Sequence, residues 1–455
     1  MPFDSINPAT DERVASFPET SAEELETALG RATRAASEWR RRSARERGAL
    51  LQATAAVLRT DLERYAKIIT LEVGKPIVEA RAEIEKCAWA CDYYAEYGER
   101  MLQDEEVDIP EARASVAFLP LGVVLAVMPW NFPFWQVFRF ATAALTAGNA
   151  ALLKHAANVP QCALAIAEVF GRACAPEGLF QSLLIRAQAV TTLIEDPRVH
   201  AVTLTGSEAA GRAVAAAAGR ALKKTVLELG GSDAFIVLAD ADLDRAAESA
   251  VRSRYQNAGQ SCIAAKRLIL VDAIAEPFLE RFEARVRALK VGDPRDETVL
   301  MGPLARRDLR AALHEQVTEA LSQGAVARLG CRIPAGPGSY YPPSILDHVR
   351  PGMRAYGEEL FGPVAIVLRA RDTEHALAQA NDNRYGLGAS LWTQDMVQGA
   401  ALARRLESGS SFVNAMVKSD PRVPFGGVKA SGYGRELALY GVREFMNIKT
   451  LWIAR

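Results

Sequence analysis

The sequence is poor in the features that mark specialised protein classes. Its 455 residues hold only six cysteines, Cys87, Cys91, Cys162, Cys174, Cys262 and Cys331, and none form a CxxC pair. That is too sparse for a disulfide framework, and the six read as reduced thiols of a reducing, cytoplasmic compartment. Charge of one sign is not in excess either: 54 Lys plus Arg face 55 Asp plus Glu, a formal net charge of −1. A polyanion-binding protein carries a clear basic excess, so nucleic acid is excluded as the main partner. Long hydrophobic runs are missing. The most apolar window, 118–138, contains Pro120, Pro129, Asn131 and Pro133, which a membrane helix tolerates poorly. The N-terminal segment MPFDSINPATDERVASFPET has acids and prolines where a signal peptide needs an apolar core. Neither a membrane nor a secretory route is expected. The five histidines, at 155, 200, 314, 348 and 375, show no ligand spacing, so no metal is expected.

What remains is an ordinary globular composition, 49% hydrophobic and 24% charged, on a chain long enough for two or three domains. Residues 22–100 show apolar positions at helical spacing, as in Leu25, Leu29, Ala32 and Ala36. From about 116 the pattern becomes short apolar runs: 123–128, 150–153, 201–205 and 225–229. Helical stretches at 133–147, 159–174 and 207–218 separate them. A second series follows at 234–238, 267–271, 363–368 and 411–414, with helical patterns at 242–256, 274–290, 305–322 and 395–408. Strands apolar on both faces and separated by helices predict βαβ units in two α/β domains meeting near residue 230. The tail 448–455 and part of 106–119 read as strands detached from both series, suited to pairing with another subunit.

Six segments carry chemistry. Cys262, in QNAGQSCIAAKR, follows a turn at Asn257, Ala258 and Gly259 that can present a thiol to a cleft. Glu228 ends an apolar strand before Gly230 and Gly231, at the edge where ligands of an open parallel sheet bind. In PWNFP, 129–133, two prolines fix the backbone around Asn131, whose amide suits a developing oxyanion. In LTGSEAAG, 204–211, a strand opens into a helix whose N-terminal N–H groups favour a phosphate. Lys154 closes the strand AALLK, and Glu359 lies in EELFGP. Each alone has a bland alternative: a packed thiol, an ion-paired acid, a Pro-rich turn, a helix cap, a surface charge.

Together, PWNFP, LLK, TLTGS, LELGG, GQSC, EELFGP and PFGGVKASGYGRE stand in the order and spacing of the aldehyde dehydrogenase superfamily. The resemblance covers nearly the whole chain. KHAANVPQCALAI, GLFQSLL and VKSDPRVPFGG are most similar to short bacterial succinate-semialdehyde dehydrogenases. The resemblance implies a Rossmann-like cofactor domain (1–98 and 119–230), a second α/β catalytic domain (231–430), and a small β oligomerisation element (99–118 and 431–455) serving a homodimer or homotetramer.

It also implies roles. Cys262 is the nucleophile, Glu228 the general base and Asn131 the oxyanion donor. Trp130, Lys154, Ala157, Gly206, Ser207, Leu229, Glu359 and Phe361 line the cofactor site. Relatives that prefer NAD carry an acid at the position of Ala157, so NADP or NAD is expected, NADP being favoured. Arg139 and Ser419 are expected to hold the carboxylate end of a small semialdehyde, with Trp135 and Phe134 as the pocket wall. Gln256 stands where some longer relatives carry a second arginine, so carboxylate recognition rests on fewer charges. A dehydrogenase for neutral aliphatic or aromatic aldehydes, and a non-redox thiol hydrolase, remain the alternative readings.

Overall fold

The computed structural model describes residues 2–454; Met1 and Arg455, the last residue of the strand expected over 448–455, lie outside the described residues. Four helices come early: α1 (Ala22–Trp39), α2 (Ala44–Thr60), α3 (Leu62–Val73) and α4 (Ile77–Met101). Ser21 with Glu24, and Ser43 with Glu46, form reciprocal capping boxes that satisfy first-turn N–H groups of α1 and α2.

The apolar runs become two largely parallel sheets. The first is ordered Gly432–Tyr433, Lys224–Glu228, Val199–Thr205, Val123–Val127, Ala150–Lys154, Phe180–Ser182. Only its first strand is antiparallel. Helices α5 (Pro133–Thr146), α6 (Pro160–Arg172), α7 (Ala187–Glu195) and α8 (Glu208–Arg220) link its strands. The second sheet is ordered Val326–Leu329, Ser344–Asp347, Val364–Ala370, Ala265–Val271, Asp233–Val237, Gly388–Trp392, Ser410–Val413. The hydrophobic core divides in the same place: one cluster runs from Ala28 to Leu229 with later additions, the other from Ala234 to Leu406. The break between the two clusters falls at 229–234, and the α/β class stands.

The expected C-terminal boundary at 431 is corrected. Gly432 and Tyr433 pair with Glu228 and Leu227 in the first sheet. Gly432 has φ 107° and lies so close over the Leu227 carbonyl that a Cβ would collide with it, which is why a glycine makes this contact. The helix Ala438–Glu444 then places Val442 in the first core. The detached element is only the antiparallel sheet of Met446–Ala454, Ala112–Pro120 and Glu105–Ile109.

In the first sheet the chain leaves Val123–Val127 for Ala150–Lys154 on one side and later returns to Val199–Thr205 on the other. Such a reversal of strand order opens a crevice beyond the carboxyl ends of the strands. Trp130 and Asn131 follow one of these ends, Gly206 and Ser207 the next, and Glu228 terminates the third.

Candidate active site

The loop that carries Cys262 is unusual in its backbone. It follows helix α9 (Leu243–Tyr255), and Asn257, Ala258 and Gly259 have φ of 52°, 52° and 72°. Three successive left-handed residues, two with side chains, persist only where surroundings over-determine them. The surroundings are visible. The Asn257 N–H donates to Glu79 Oε2 at 2.8 Å, and its Nδ2 donates to the Asn131 carbonyl at 2.7 Å. Fully buried Arg254 donates to the carbonyls of Gly259 (3.4 Å), Leu360 (3.0 Å) and Val364 (2.9 Å), and also to that of Gly362.

This places Cys262 half-buried, packed with Ile263 against the core of the opposite lobe. Burial pushes its thiol up to about 12, against the pull of the Arg139 and Lys266 charges. Of the other cysteines, Cys87, Cys91, Cys162 and Cys331 are buried and Cys174 is exposed.

Asn131 is 4% exposed, and its Nδ2 donates to the Gln260 carbonyl at 3.0 Å. An amide nitrogen has two hydrogens, so a second donor remains in the crevice. Glu228 is 2% exposed, and neither of its carboxylate oxygens has a hydrogen-bond partner. Burial drives its pKa well above the usual carboxylate range. Arg139 opposes the rise and Glu436 adds to it. Gly426, in the PFGG segment, makes room: a Cβ there would sit 2.7 Å from Glu228 Oε1. Orphaned buried polar atoms are rare, and Asn131 Oδ1 and both Glu228 carboxylate oxygens are among them.

Arg139 departs from expectation. Its side chain is 2% exposed, its Nε is ion-paired with Glu436, and Nη2 donates to Thr205 Oγ1 at 3.2 Å. Its guanidinium also faces the Phe425 ring at 4.6 Å. The cation expected for a substrate carboxylate is thus matched by an internal acid, brought from the far end of the chain. Ser419 and Trp135 do meet, with Trp135 Nε1 donating to Ser419 Oγ at 3.0 Å.

On the cofactor side, Ser207 caps α8 by accepting the Ala210 N–H at 3.3 Å, and Gly206 leaves the backbone before it open to approach. Leu229 is buried against Gly211, where any side chain would clash with it. Glu359 is held by Lys266 at 3.0 Å and by the Gly231 N–H at 3.2 Å. A Cβ at Gly230 would collide with its carboxylate. Trp130 and Phe361 meet edge-to-face at 5.8 Å across the crevice. Lys154 is half-buried and Ala157 exposed. An open helix N-terminus, a fixed carboxylate and two rings lining one cleft fit a dinucleotide. Among the described residues no cluster of His, Cys, Asp or Glu could hold a metal ion.

Sequence reasoning missed the face of α4. Glu79, Glu83 and Lys86 recur at helical spacing. Glu79 steadies the Asn257 turn. Glu83, ion-paired with buried Lys75, accepts the N–H groups of Phe134 (2.9 Å) and Trp135 (3.0 Å) and so caps α5 beside Asn131. Lys266, which also donates to the Cys262 carbonyl at 2.8 Å, and Glu436 were likewise unforeseen.

The site thus holds a half-buried thiol on a strained turn, an amide tied to that turn, and a buried unpartnered carboxyl at the end of a parallel strand. The aldehyde dehydrogenase family matches residues 1–451, and the chain belongs to that family. A relative in Escherichia coli (strain K12), a succinate semialdehyde dehydrogenase [NAD(P)+] Sad, is 51% identical over 98% of this chain and 97% of its own. A succinate-semialdehyde dehydrogenase [NADP(+)] 1 of Mycobacterium bovis is 49% identical over all of both chains. Among solved structures, a succinic semialdehyde dehydrogenase from Streptococcus pyogenes in complex with NADP+ superposes with a TM-score of 0.98 at 36% identity, over the full length of both.

Proposed function

We propose that the protein oxidises succinate semialdehyde to succinate with NADP or NAD as hydride acceptor, through a thioester on Cys262. The Cys262 Sγ, as thiolate, adds to the aldehyde carbon and forms a thiohemiacetal alkoxide. Without that addition the carbonyl carbon has no electron pair with which to expel hydride. The free N–H of Asn131 Nδ2 and the Cys262 backbone N–H, which donates to no other group among the described residues, receive the alkoxide. A bound nicotinamide supplies the acceptor for the hydride. Collapse of the alkoxide leaves an acyl thioester. Glu228 then takes a proton from water as the water oxygen attacks, and the thiolate departs. Overall, aldehyde, water and the oxidised cofactor give the carboxylate, the reduced cofactor and two protons.

This reading is carried by the Asn131 amide tied to the Cys262 loop and the buried, unpartnered Glu228 carboxyl, in a chain half identical to proteins named for this reaction. Favoured use of NADP is supported by the positive charge of Lys154, with Arg186 in electrostatic reach, and by a neutral residue at Ala157. A homodimer or homotetramer is supported by the detached sheet, which exposes Ile448, Trp452 and Ile453. Free thiols suit a reducing, cytoplasmic setting. The test is a matrix of initial rates, several aldehydes against both cofactors. Highest kcat/KM for succinate semialdehyde supports the reading. Equal use of neutral aldehydes overturns the substrate.

A further inference from the structure

Lys266 stands at the start of the strand Ala265–Val271, four residues after Cys262, and its side chain is 2% exposed. A buried ammonium is costly unless its hydrogens find acceptors. Here each of the three has one. Nζ donates to the Ser261 carbonyl at 2.6 Å and to the Cys262 carbonyl at 2.8 Å, and it pairs with Glu359 Oε1 at 3.0 Å. An ammonium has three donors and no acceptor, so none is left for a ligand. One buried cation therefore joins the backbone of the proposed nucleophile to the carboxylate proposed for the cofactor cleft.

Gly231 makes this junction possible. Its N–H donates to the same Glu359 oxygen at 3.2 Å, and a Cβ there would sit 2.7 Å from the Cys262 carbonyl oxygen. The Cys262 carbonyl is thus packed between a residue that cannot be larger and an ammonium whose hydrogens are all engaged. Charge makes the arrangement more than a brace. The charged groups facing the Cys262 thiol are Arg139 from α5, Lys266 from the strand that follows it, Glu359, and Asp233 from the start of Asp233–Val237. The two cations favour the thiolate, and the two acids oppose it. Lys266 and Glu359 are in direct contact, so each moderates the other's effect on the sulfur.

We infer that Lys266 is a positioning residue that clamps the Cys262 backbone, anchors the Glu359 carboxylate, and through its positive charge promotes the thiolate form of Cys262. This role rests on Cys262 as the nucleophile. It divides the labour of Glu359 between its two oxygens. Oε1 is fixed by Lys266 and Gly231, while Oε2 accepts from no group among the described residues and is left to a ligand. Removing the cation should therefore have two consequences: a less acidic sulfur, and a carboxylate that must be ordered afresh when the cofactor binds.

The experiment follows alkylation of Cys262 by iodoacetamide in the protein without cofactor, read by peptide mass so that exposed Cys174 is counted separately. The rate reports the thiolate fraction. At pH 8, Lys266→Met should slow alkylation by about tenfold and Glu359→Gln should speed it by about threefold or more, since one adjacent charge moves a thiol by about one pKa unit. Opposite signs separate charge from packing, because a loosened loop would expose the sulfur and speed both variants. An unchanged or faster rate in Lys266→Met, or no gain in Glu359→Gln, overturns the inference. Should Lys266→Met fail to fold, Glu359→Gln decides by its sign alone. NADP, titrated by tryptophan fluorescence, should bind Lys266→Met about threefold or more weakly, and unchanged binding overturns the tie to Glu359. Aldehyde turnover that survives complete alkylation of Cys262 overturns the thioester reading itself. Alkylation rates that do not differ, in an enzyme that alkylation inactivates, overturn only the role of Lys266.

Discussion

The Asn131 side chain donates to the carbonyl of Gln260 across 3.0 Å, so the proposed oxyanion donor is tied directly to the loop that carries the proposed nucleophile, Cys262, two residues on. The Asn257 side chain closes the same link in the other direction, donating to the Asn131 carbonyl at 2.7 Å. The two lobes thereby set donor and thiol as one unit rather than as two surfaces that happen to face each other. Pre-arranged donors of this kind cost no reorganisation when charge develops.

Removing the donor should therefore be expensive. Asn131→Ala is expected to lower kcat by about 10²–10³, or about 2.7–4 kcal/mol of transition-state stabilisation, with a smaller change in KM. Steady-state rates on one aldehyde, with the fold checked by circular dichroism, measure this. A loss confined to KM would contradict it.

Separate steps can be isolated at the nucleophile and the base. Cys262→Ala should abolish reduced-cofactor formation. Glu228→Gln should preserve a first burst of it while slowing turnover by about 10²–10⁴, and the acyl adduct should then be seen on Cys262 by intact-protein mass. A Glu228→Gln variant that shows neither burst nor adduct would place Glu228 before the thioester.

Acidity gives a sign. Burial raises both the Cys262 thiol, to about 12, and the Glu228 carboxyl. Each must lose its proton to act, and a raised value moves that loss to higher pH. The rate on a neutral aldehyde should climb from pH 6 to 9 without a plateau near neutrality. A profile flat across that interval would show that the working site differs from this arrangement.

Cofactor choice is addressed at one exposed position. Ala157→Glu places a carboxylate near Lys154 and should reduce kcat/KM for NADP relative to NAD by about tenfold or more, since like charges in such a site cost several kcal/mol at close range. Parallel rates with both cofactors report the ratio.

Stability should depend on the cap of α5. Glu83→Ala removes acceptors from two N–H groups and leaves buried Lys75 without its partner. Loss of one member of a buried pair costs about 3–5 kcal/mol, visible as a lower midpoint in urea. Lys75→Met with Glu83→Leu should restore a large part of it.

Much of this architecture was readable from residue patterns because it is local. Apolar runs at 123–128, 150–153 and 201–205 became strands within two residues of their expected ends, since strands buried on both faces announce themselves in composition. The turn before Cys262 and the strand end at Glu228 were legible for the same reason. The pairings that complete the site were not. Glu436 reaches Arg139, and Glu83 reaches the α5 N-terminus, across long stretches of chain, and nothing in either neighbourhood specifies the partner. Lys86 reads as one more solvated charge on a long helix until Ser419 and Trp135 are seen beside it. The boundary at 431 failed because a two-residue strand leaves almost no periodic trace.

Arg254 gathers the carbonyls of Gly259, Leu360, Gly362 and Val364 around one buried guanidinium. The segment of Glu359 and Phe361 and the segment of Cys262 are therefore fastened to the same rivet, so a displacement of one would be passed to the other.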